Sequence, residues 1–160
     1  MGNLSHFDES GASRMVNVGQ KPISQRVARA SAQVRMQPAT LRLILDRHLK
    51  KGDVLEVARL AGIQAAKRTS ELIPLCHALA IDAVTLDFTS TDDRSIAIQA
   101  VVSVEAKTGV EMESLTAVSV AALTIYDMCK SADRSIKIEQ IQLEEKSGGR
   151  SGIWRRESQP

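Results

Sequence analysis

The chain has 160 residues, of which 43% are hydrophobic and 25% are charged, so it can bury one substantial core but is short for two domains. Only 2% of the residues are aromatic, and 21 basic against 19 acidic residues give a formal charge of +2. This composition argues against the stacking platforms and the strong positive field on which nucleic-acid binding depends. We therefore expect no nucleic-acid partner, and any anion site to be a local cluster of charges.

The cysteines and the hydropathy pattern bear on the cellular compartment. Cys76 and Cys129 have neither the spacing of zinc ligands nor that of a disulfide framework, which fits a reducing environment. The N-terminal segment shows no basic and apolar export signal, and the longest uncharged apolar segment, residues 115–126, is shorter than the roughly 20 residues that cross a bilayer. We expect a cytoplasmic protein with no membrane association.

The first half of the chain mixes strand and helix patterns. Residues 14–18 could form a short strand, and alternating polar and small apolar residues predict a long strand over 26–36. Pro38 suits the first turn of a helix that stops near residue 49. Asp53 and Glu56 have the spacing of a capping box, and the apolar positions after them predict a helix to about residue 72, closed by Pro74.

The second half predicts a hairpin, a long helix and a last strand. Residues 84–88 and 96–104 alternate on either side of a turn, and a helical pattern follows over about 111–131. The final strand, over 135–145, changes its inward phase, which predicts a bulge near Glu139. The order strand, helix, strand, strand, helix, strand predicts an α+β fold of the ferredoxin-like split βαβ type, an antiparallel sheet with helices packed on one face.

We expect one domain over residues 1–152, with a flexible start over 1–12, and a polar C-terminal tail over 153–160. The long helix is uncharged on every side over residues 115–125, although a helix lying on one sheet needs only one apolar stripe. A second subunit is the simplest cover for its other side. The sequence thus predicts a homo-oligomer.

Basic residues lie beside predicted helix ends and loops, where free backbone N–H groups and the helix dipole also favour anions. Taken singly, each could be a solvated surface residue, and they form a phosphate site only if the fold brings them together. These residues are Arg26, Lys51, Lys67, Arg68, Lys146 and Arg150.

Further candidates for chemistry lie in one loop and on the long helix. His77, after Cys76, could donate a proton or bind phosphate, or could be a capped structural histidine. Cys76 fits a small buried side chain better than a nucleophile, because no base is identifiable beside it. Glu111 fits a capping box that begins at Thr108, as an alternative to a place in a pocket.

The other end of the long helix carries Asp127 and Lys130, which are neighbours at a spacing of three residues. They form either a surface ion pair or an acid/base pair in a cleft. Glu113 lies on the same side of the helix as Asp127 but roughly 20 Å away along its axis, so the two cannot meet within one subunit. The sequence contains no P-loop, dinucleotide-binding or nucleophile-elbow motif, and its histidines show no metal-ligand spacing, so no metal site is expected.

Six segments in a fixed order resemble the cyclic pyranopterin monophosphate synthase family, molybdenum cofactor biosynthesis protein C, and the resemblance as a whole extends over about residues 5–152. They are Lys51-Gly-Asp-Val54, Ala61-Gly-Ile-Gln-Ala-Ala-Lys-Arg-Thr69, Ile73-Pro-Leu-Cys-His77, Lys107-Thr-Gly-Val-Glu-Met-Glu113, Leu123-Thr-Ile-Tyr-Asp-Met-Cys-Lys130 and Lys146-Ser-Gly-Gly149. The resemblance implies a lyase that converts 3′,8-cyclised dihydro-GTP, made by an upstream radical enzyme, into cyclic pyranopterin monophosphate and pyrophosphate. It also implies a hexamer, a trimer of dimers, with active sites at subunit interfaces.

The resemblance also implies roles for individual residues. Asp127 and Lys130 would be the acid/base pair, and Lys51 would act at the substrate. The substrate contacts would be Arg26, Lys67, Leu75, Cys76, His77, Glu111, Met112, Glu113 and Lys146. No cofactor is expected, and the sequence leaves open whether a divalent cation accompanies the pyrophosphate.

One position departs from the family pattern. Ala78 follows His77 where the family usually continues with proline, which removes a backbone constraint from the loop that carries His77. The main alternative to the synthase is a catalytically silent module of the same fold that binds a nucleotide or phosphate ligand. Lys51, Asp127 and Lys130 favour the enzyme, because a silent module has no chemical need for all three.

Overall fold

The structure, a computed structural model, describes residues 6–8, 10–46 and 52–157. Its elements in chain order are β1 (Ser24–Arg35), α1 (Pro38–Leu45), α2 (Val54–Lys67), α3 (Thr69–Leu72), β2 (Ala83–Ser90), β3 (Ser95–Ala106), α4 (Glu111–Cys129), β4 (Lys137–Ser147) and β5 (Trp154–Arg155). The strands form one antiparallel sheet in the order β2-β3-β1-β4-β5. The first four strands and their connecting helices give the predicted α+β, ferredoxin-like arrangement.

The sheet follows the alternation in the sequence. In β1, Ala28, Ala30, Ala32 and Val34 are buried, and this strand pairs with β3 along its whole length. Its pairing with β4 shifts between Ser31 and Gln33, opposite residues 139–142. Gln140, in this interval, has φ 52°, a backbone conformation that lets the extra residue leave the ladder. The predicted bulge near Glu139 is confirmed.

The helices cover the sheet and enclose a core made almost wholly of aliphatic and small side chains. Helix α4 packs on β1, β3 and β4, whereas α2 packs on β2 and against α4. The contact between α2 and α4 is close at Gly62, where a Cβ would lie 2.5 Å from Leu86 Cδ2 and 2.9 Å from the carbonyl oxygen of Ala117. Because real Cβ atoms do not approach this closely, only glycine fits between the two helices here.

Helix α2 begins as the sequence predicts. The carboxylate of Asp53 accepts hydrogen bonds from the backbone N–H groups of Leu55 and Glu56, at 3.1 and 3.2 Å. The predicted helix to residue 72 is confirmed except at Arg68, which leaves the helical conformation (φ −111°, ψ 14°) and separates α2 from α3. The hydroxyl of Thr69, donating to the carbonyl oxygen of Ala66 at 3.0 Å, stabilises this turn.

Three further expectations concern the ends of elements. The predicted strand over residues 14–18 is wrong, because no neighbouring strand pairs with this segment in the described structure. The predicted end of the first helix near residue 49 lies outside the described residues, as does part of the predicted flexible start. Strand β5, within the predicted tail, pairs with β4 through Trp154 and Arg155.

Candidate active site

A cavity of about 350 Å³ lies where the turn before α4 meets the loop after α3 and the segment that leads into β1. We call it the carboxylate cavity. It brings together six of the predicted substrate contacts, from two distant parts of the sequence. Its lining residues are His6, Val16, Val18, Lys21, Leu75, Cys76, His77, Leu79, Thr108, Gly109, Glu111, Met112 and Glu113.

Glu113, in the first turn of α4, is the buried carboxyl group of this cavity. Only 4% of the residue is exposed. Burial raises the pKa of its carboxyl group, a hydrogen bond from the residue's own backbone N–H partly opposes this increase, and the charge of Glu111 adds a smaller increase. A carboxyl group in this environment retains its proton to higher pH than usual and can donate it to a bound molecule.

Cys76 and His77, in the loop after α3, also line the cavity, and both are half-buried. Burial raises the pKa of the Cys76 thiol, and the negative charge of Glu113 raises it further. The thiol therefore stays protonated and is a poor nucleophile, in agreement with the interpretation of Cys76 as a small packing side chain. His77 lines the cavity even though Ala78 replaces the proline usual in the family.

Glu111 does not close a capping box. The residue before α4 is Val110, no side chain caps the helix there, and the prediction from Thr108 is wrong. Glu111 instead pairs with Lys146 of β4, at 3.2 Å between Oε1 and Nζ. Gly109 makes room for this carboxylate, since a Cβ at that position would overlap it. The ion pair thus ties the first turn of α4 to β4 beside the carboxylate cavity.

A second cavity, of about 480 Å³, adjoins the first. We call it the basic cavity, because Lys21, Arg26 and Arg150 line it, and no acidic residue is among its described lining residues. Pro22, Ser24, Gly149 and Ser151 complete its wall. Lys21 lines both cavities and shows that they are neighbours. Three cationic side chains around one cavity form the local cluster that an anion site requires.

The backbone holds Arg26 in the basic cavity. Its Nε donates to the carbonyl oxygen of Ala106 at 3.4 Å, and its Nη2 donates to that of Lys107 at 3.3 Å. Both carbonyl groups lie where β3 ends, just before the turn into α4. These contacts fix the direction of the guanidinium group relative to both cavities.

Asp127 and Lys130 form an exposed ion pair at the C-terminal end of α4. The Asp127 carboxylate accepts a hydrogen bond from Lys130 Nζ at 2.6 Å, and this bond and the charge of Asp127 raise the pKa of the lysine. Fourteen residues separate Asp127 from Glu113 on one helix, a distance of roughly 21 Å along the axis. Within one chain, the pair therefore lies away from the carboxylate cavity, as the sequence predicts.

Another predicted site residue is not brought to the cavities by this chain. Lys67 is exposed in the last turn of α2 and lines neither of the two cavities. Lys51 lies outside the described residues. Conversely, the sequence analysis missed Lys21 and His6 as cavity residues. Lys21 could have been included among the candidate phosphate contacts, because it is a cation in the turn before the strand that carries Arg26. No pattern in the sequence indicates that His6 lies at the cavity.

The structure holds no obvious metal ligand set or membrane span in its described part. Among residues 6–8, 10–46 and 52–157, no three His, Cys, Asp or Glu side chains come close enough to share a metal ion. In the same part of the chain, no helix combines the length and hydropathy that crossing a membrane requires.

Comparison with known proteins gives a consistent result. The model of the MoaC family matches residues 15–149. The chain is 59% identical over 153 residues to cyclic pyranopterin monophosphate synthase 1 of Mycobacterium bovis, covering 96% of this chain and 90% of the relative. It is 58% identical over 160 residues to the cyclic pyranopterin monophosphate synthase of Magnetococcus marinus, covering 99% and 98%. The corresponding protein of Thermomicrobium roseum is 56% identical over 158 residues, covering 98% and 95%. The matches to these relatives extend along nearly the whole chain, and the chain belongs to the MoaC family.

Proposed function

We propose that the chain is a cyclic pyranopterin monophosphate synthase, a lyase of molybdenum cofactor biosynthesis. Its substrate would be (8S)-3′,8-cyclo-7,8-dihydroguanosine 5′-triphosphate, and its products cyclic pyranopterin monophosphate and pyrophosphate. Relatives that are 56–59% identical over nearly the full chain carry this name. The structural observation that supports the proposal is the pair of adjoining cavities, one lined by cations and one holding a buried carboxyl group.

The basic cavity suits the triphosphate. Lys21, Arg26 and Arg150 offer charged N–H donors, and charge-assisted hydrogen bonds to phosphate are stronger than neutral ones. Because departing pyrophosphate carries more negative charge than the ester it leaves, fixed cations stabilise the departure as well as the ground state. Lys51, Lys67 and Lys146 would add further contacts with the phosphates or the rest of the substrate.

The carboxylate cavity suits the cyclised base and ribose. Leu75 and Met112 supply apolar wall, while His77, Glu111 and Glu113 supply groups that exchange protons or hydrogen bonds. Rearrangement of the rings requires proton transfers, and a carboxyl group with a raised pKa keeps a proton for donation at higher pH than an exposed carboxyl group does.

We place the acid/base pair of Asp127 and Lys130 in the same site through a second subunit. One chain holds this pair roughly 21 Å from Glu113, so both can act on one substrate only if different subunits supply them. Exposed apolar side chains support a subunit interface: Leu60, Leu72 and Leu123 are 63%, 58% and 57% exposed. The proposed assembly is the hexamer, a trimer of dimers, implied by the family resemblance.

The remaining parts of the proposal follow from the reaction. The substrate would come from a radical enzyme upstream. We propose that the protein uses no resident cofactor, and that a divalent cation, if it takes part, arrives with the phosphates. We place this enzyme in the reducing cytoplasm, because its two cysteines, Cys76 and Cys129, have neither the number nor the spacing of a disulfide framework.

Anaerobic incubation of the purified protein with the cyclised dihydro-GTP tests the proposal directly. Mass spectrometry should show pyrophosphate and the pterin product in equal amounts, with and without a metal chelator. A Lys51→Ala variant should bind the triphosphate more weakly. Binding of the substrate without any turnover would contradict the synthase and favour the silent ligand-binding module.

A further inference from the structure

We propose that Gly149 is a positioning residue for Arg26. The absence of a side chain at position 149 keeps the guanidinium group of Arg26 in place in the basic cavity. The inference rests on the proposed function in one respect, that this cavity receives the phosphates of the substrate. It assigns a role in the site to a residue that has no side chain of its own.

The guanidinium group is confined on two sides. On one side, its Nε and Nη2 atoms donate to the carbonyl oxygens of Ala106 and Lys107. On the other side lies the backbone of Gly149, where an added Cβ would overlap Nη1 and lie 2.5 Å from Cζ and 2.8 Å from Nη2. Real Cβ atoms do not approach neighbours within 3.0 Å, so an alanine at position 149 cannot coexist with this guanidinium position.

The expected response is a movement of the side chain and not of the fold. The clashing atoms are the far end of a long, flexible side chain, which can move at low cost. If the guanidinium moves, it loses its hydrogen bonds to the two carbonyl groups, and its direction in the cavity is no longer fixed. An alanine at position 149 should therefore weaken anion binding while the protein stays folded.

The chain offers a matched control for the backbone effect of this substitution. Gly149 has φ +69°, so any side chain there also strains the backbone. Gly152, three residues on, has φ +62° and no atom within 4 Å of an added Cβ. Gly152→Ala thus carries the same kind of backbone strain without the contact to Arg26. Its N–H, which donates to the carbonyl oxygen of Gly149 at 3.3 Å, is kept in alanine.

The experiment compares the full-length wild type with Gly149→Ala, Gly152→Ala, Arg26→Gln and the double variant of positions 26 and 149. Calorimetry gives the Kd of inorganic pyrophosphate, turnover gives the KM of the cyclised dihydro-GTP, and thermal unfolding gives the Tm. Gly149→Ala should raise both constants about tenfold or more, as Arg26→Gln does, because each disturbs a charge-assisted contact. Gly152→Ala should leave both constants unchanged and lower the Tm as much as Gly149→Ala does.

The double variant identifies the route of the effect. If Gly149 acts through Arg26, then Gly149→Ala adds little to the Arg26→Gln variant. The proposal is overturned if Gly149→Ala binds like Gly152→Ala, if its effect persists undiminished without Arg26, or if it alone prevents folding. Wild-type protein that binds no pyrophosphate would overturn it too. Wild type that binds pyrophosphate but forms no product contradicts only the proposed function, because calorimetry still compares the variants.

Discussion

Replacing Glu113 with glutamine should stabilise the folded protein at neutral pH and at the same time reduce product formation. Glu113 is 4% exposed, and burial raises the pKa of its carboxyl group. Glutamine has nearly the same shape and no charge, so it removes the cost of keeping a carboxylate in this cavity. It cannot donate a carboxylic acid proton, so the same substitution impairs the proposed chemistry.

The pH dependence follows from the direction of the shift. Because the pKa in the folded state lies above the ordinary value of 4.5, the contribution of Glu113 to stability is fully present below that value. It is lost as the pH rises through the folded-state pKa. Buried polar groups without full hydrogen bonding cost about 1–3 kcal/mol in mutational studies. We expect Glu113→Gln to gain about this much at pH 7 and less at pH 4, with about 2–4 °C in Tm per kcal/mol.

The assay is thermal and urea unfolding of both proteins between pH 4 and pH 8, at one protein concentration because assembly affects the Tm. Glu111→Gln is the control, since Glu111 is only partly buried and pairs with Lys146, so its substitution should bring no gain at pH 7. A Glu113→Gln protein less stable than wild type at pH 7 would refute the reasoning. It would mean that the ionised carboxylate has favourable partners in the assembled protein. A gain that does not vary with pH would refute it equally.

Three other substitutions test the site and the packing. Asp127→Ala should stop product formation without changing assembly. It should alter the free energy of unfolding by less than about 1 kcal/mol, because its ion pair with Lys130 is exposed. Near-normal turnover would make the acid/base assignment wrong. Gly148→Ala should lower the Tm more than Gly152→Ala, because its Cβ would overlap the backbone carbonyl group of Gln25. Gly62→Ala should lower the free energy of unfolding in urea, because overpacking between α2 and α4 costs about 1–3 kcal/mol whereas the higher helix propensity of alanine returns only about 1 kcal/mol. A variant more stable than the wild type would show that α2 and α4 lie further apart.

The sequence predicts the sheet well because burial on one face enforces an alternation that is visible along the chain. The strands β1, β2 and β3 and the bulge in β4 all follow from this period. The errors arise where a neighbour decides the local structure. Residues 14–18 have the composition of a strand but no partner, and two of them, Val16 and Val18, instead line the carboxylate cavity. The break at Arg68 lies within a continuous helical pattern, and residues 63–72 around it contain no glycine or proline that would signal it.

The candidate site was predictable only in part, for a similar reason. The loop at Leu75 and the start of α4 lie far apart in sequence, and only the family resemblance indicated that they share one site. Glu111 shows how a local pattern can mislead, since the spacing favours a cap at Thr108 but the carboxylate pairs with Lys146 from β4. Lys21 reaches both cavities through the path of the segment before β1, which periodicity does not report.

Helix α4 carries the two halves of the proposed chemistry at its opposite ends, with an uncharged stretch over residues 114–126 between them. If one subunit gives Glu113 to one site and Asp127 to another, two inactive variants should complement each other. After Glu113→Gln and Asp127→Ala subunits are mixed, unfolded and reassembled, half of the sites would receive an intact Glu113, and half of those an intact Asp127. Random assembly should then restore about a quarter of wild-type product formation. A mixture as inactive as its parents, although gel filtration and mass spectrometry show mixed oligomers, would mean that both residues act within one chain. In that case α4 could not keep the geometry described here.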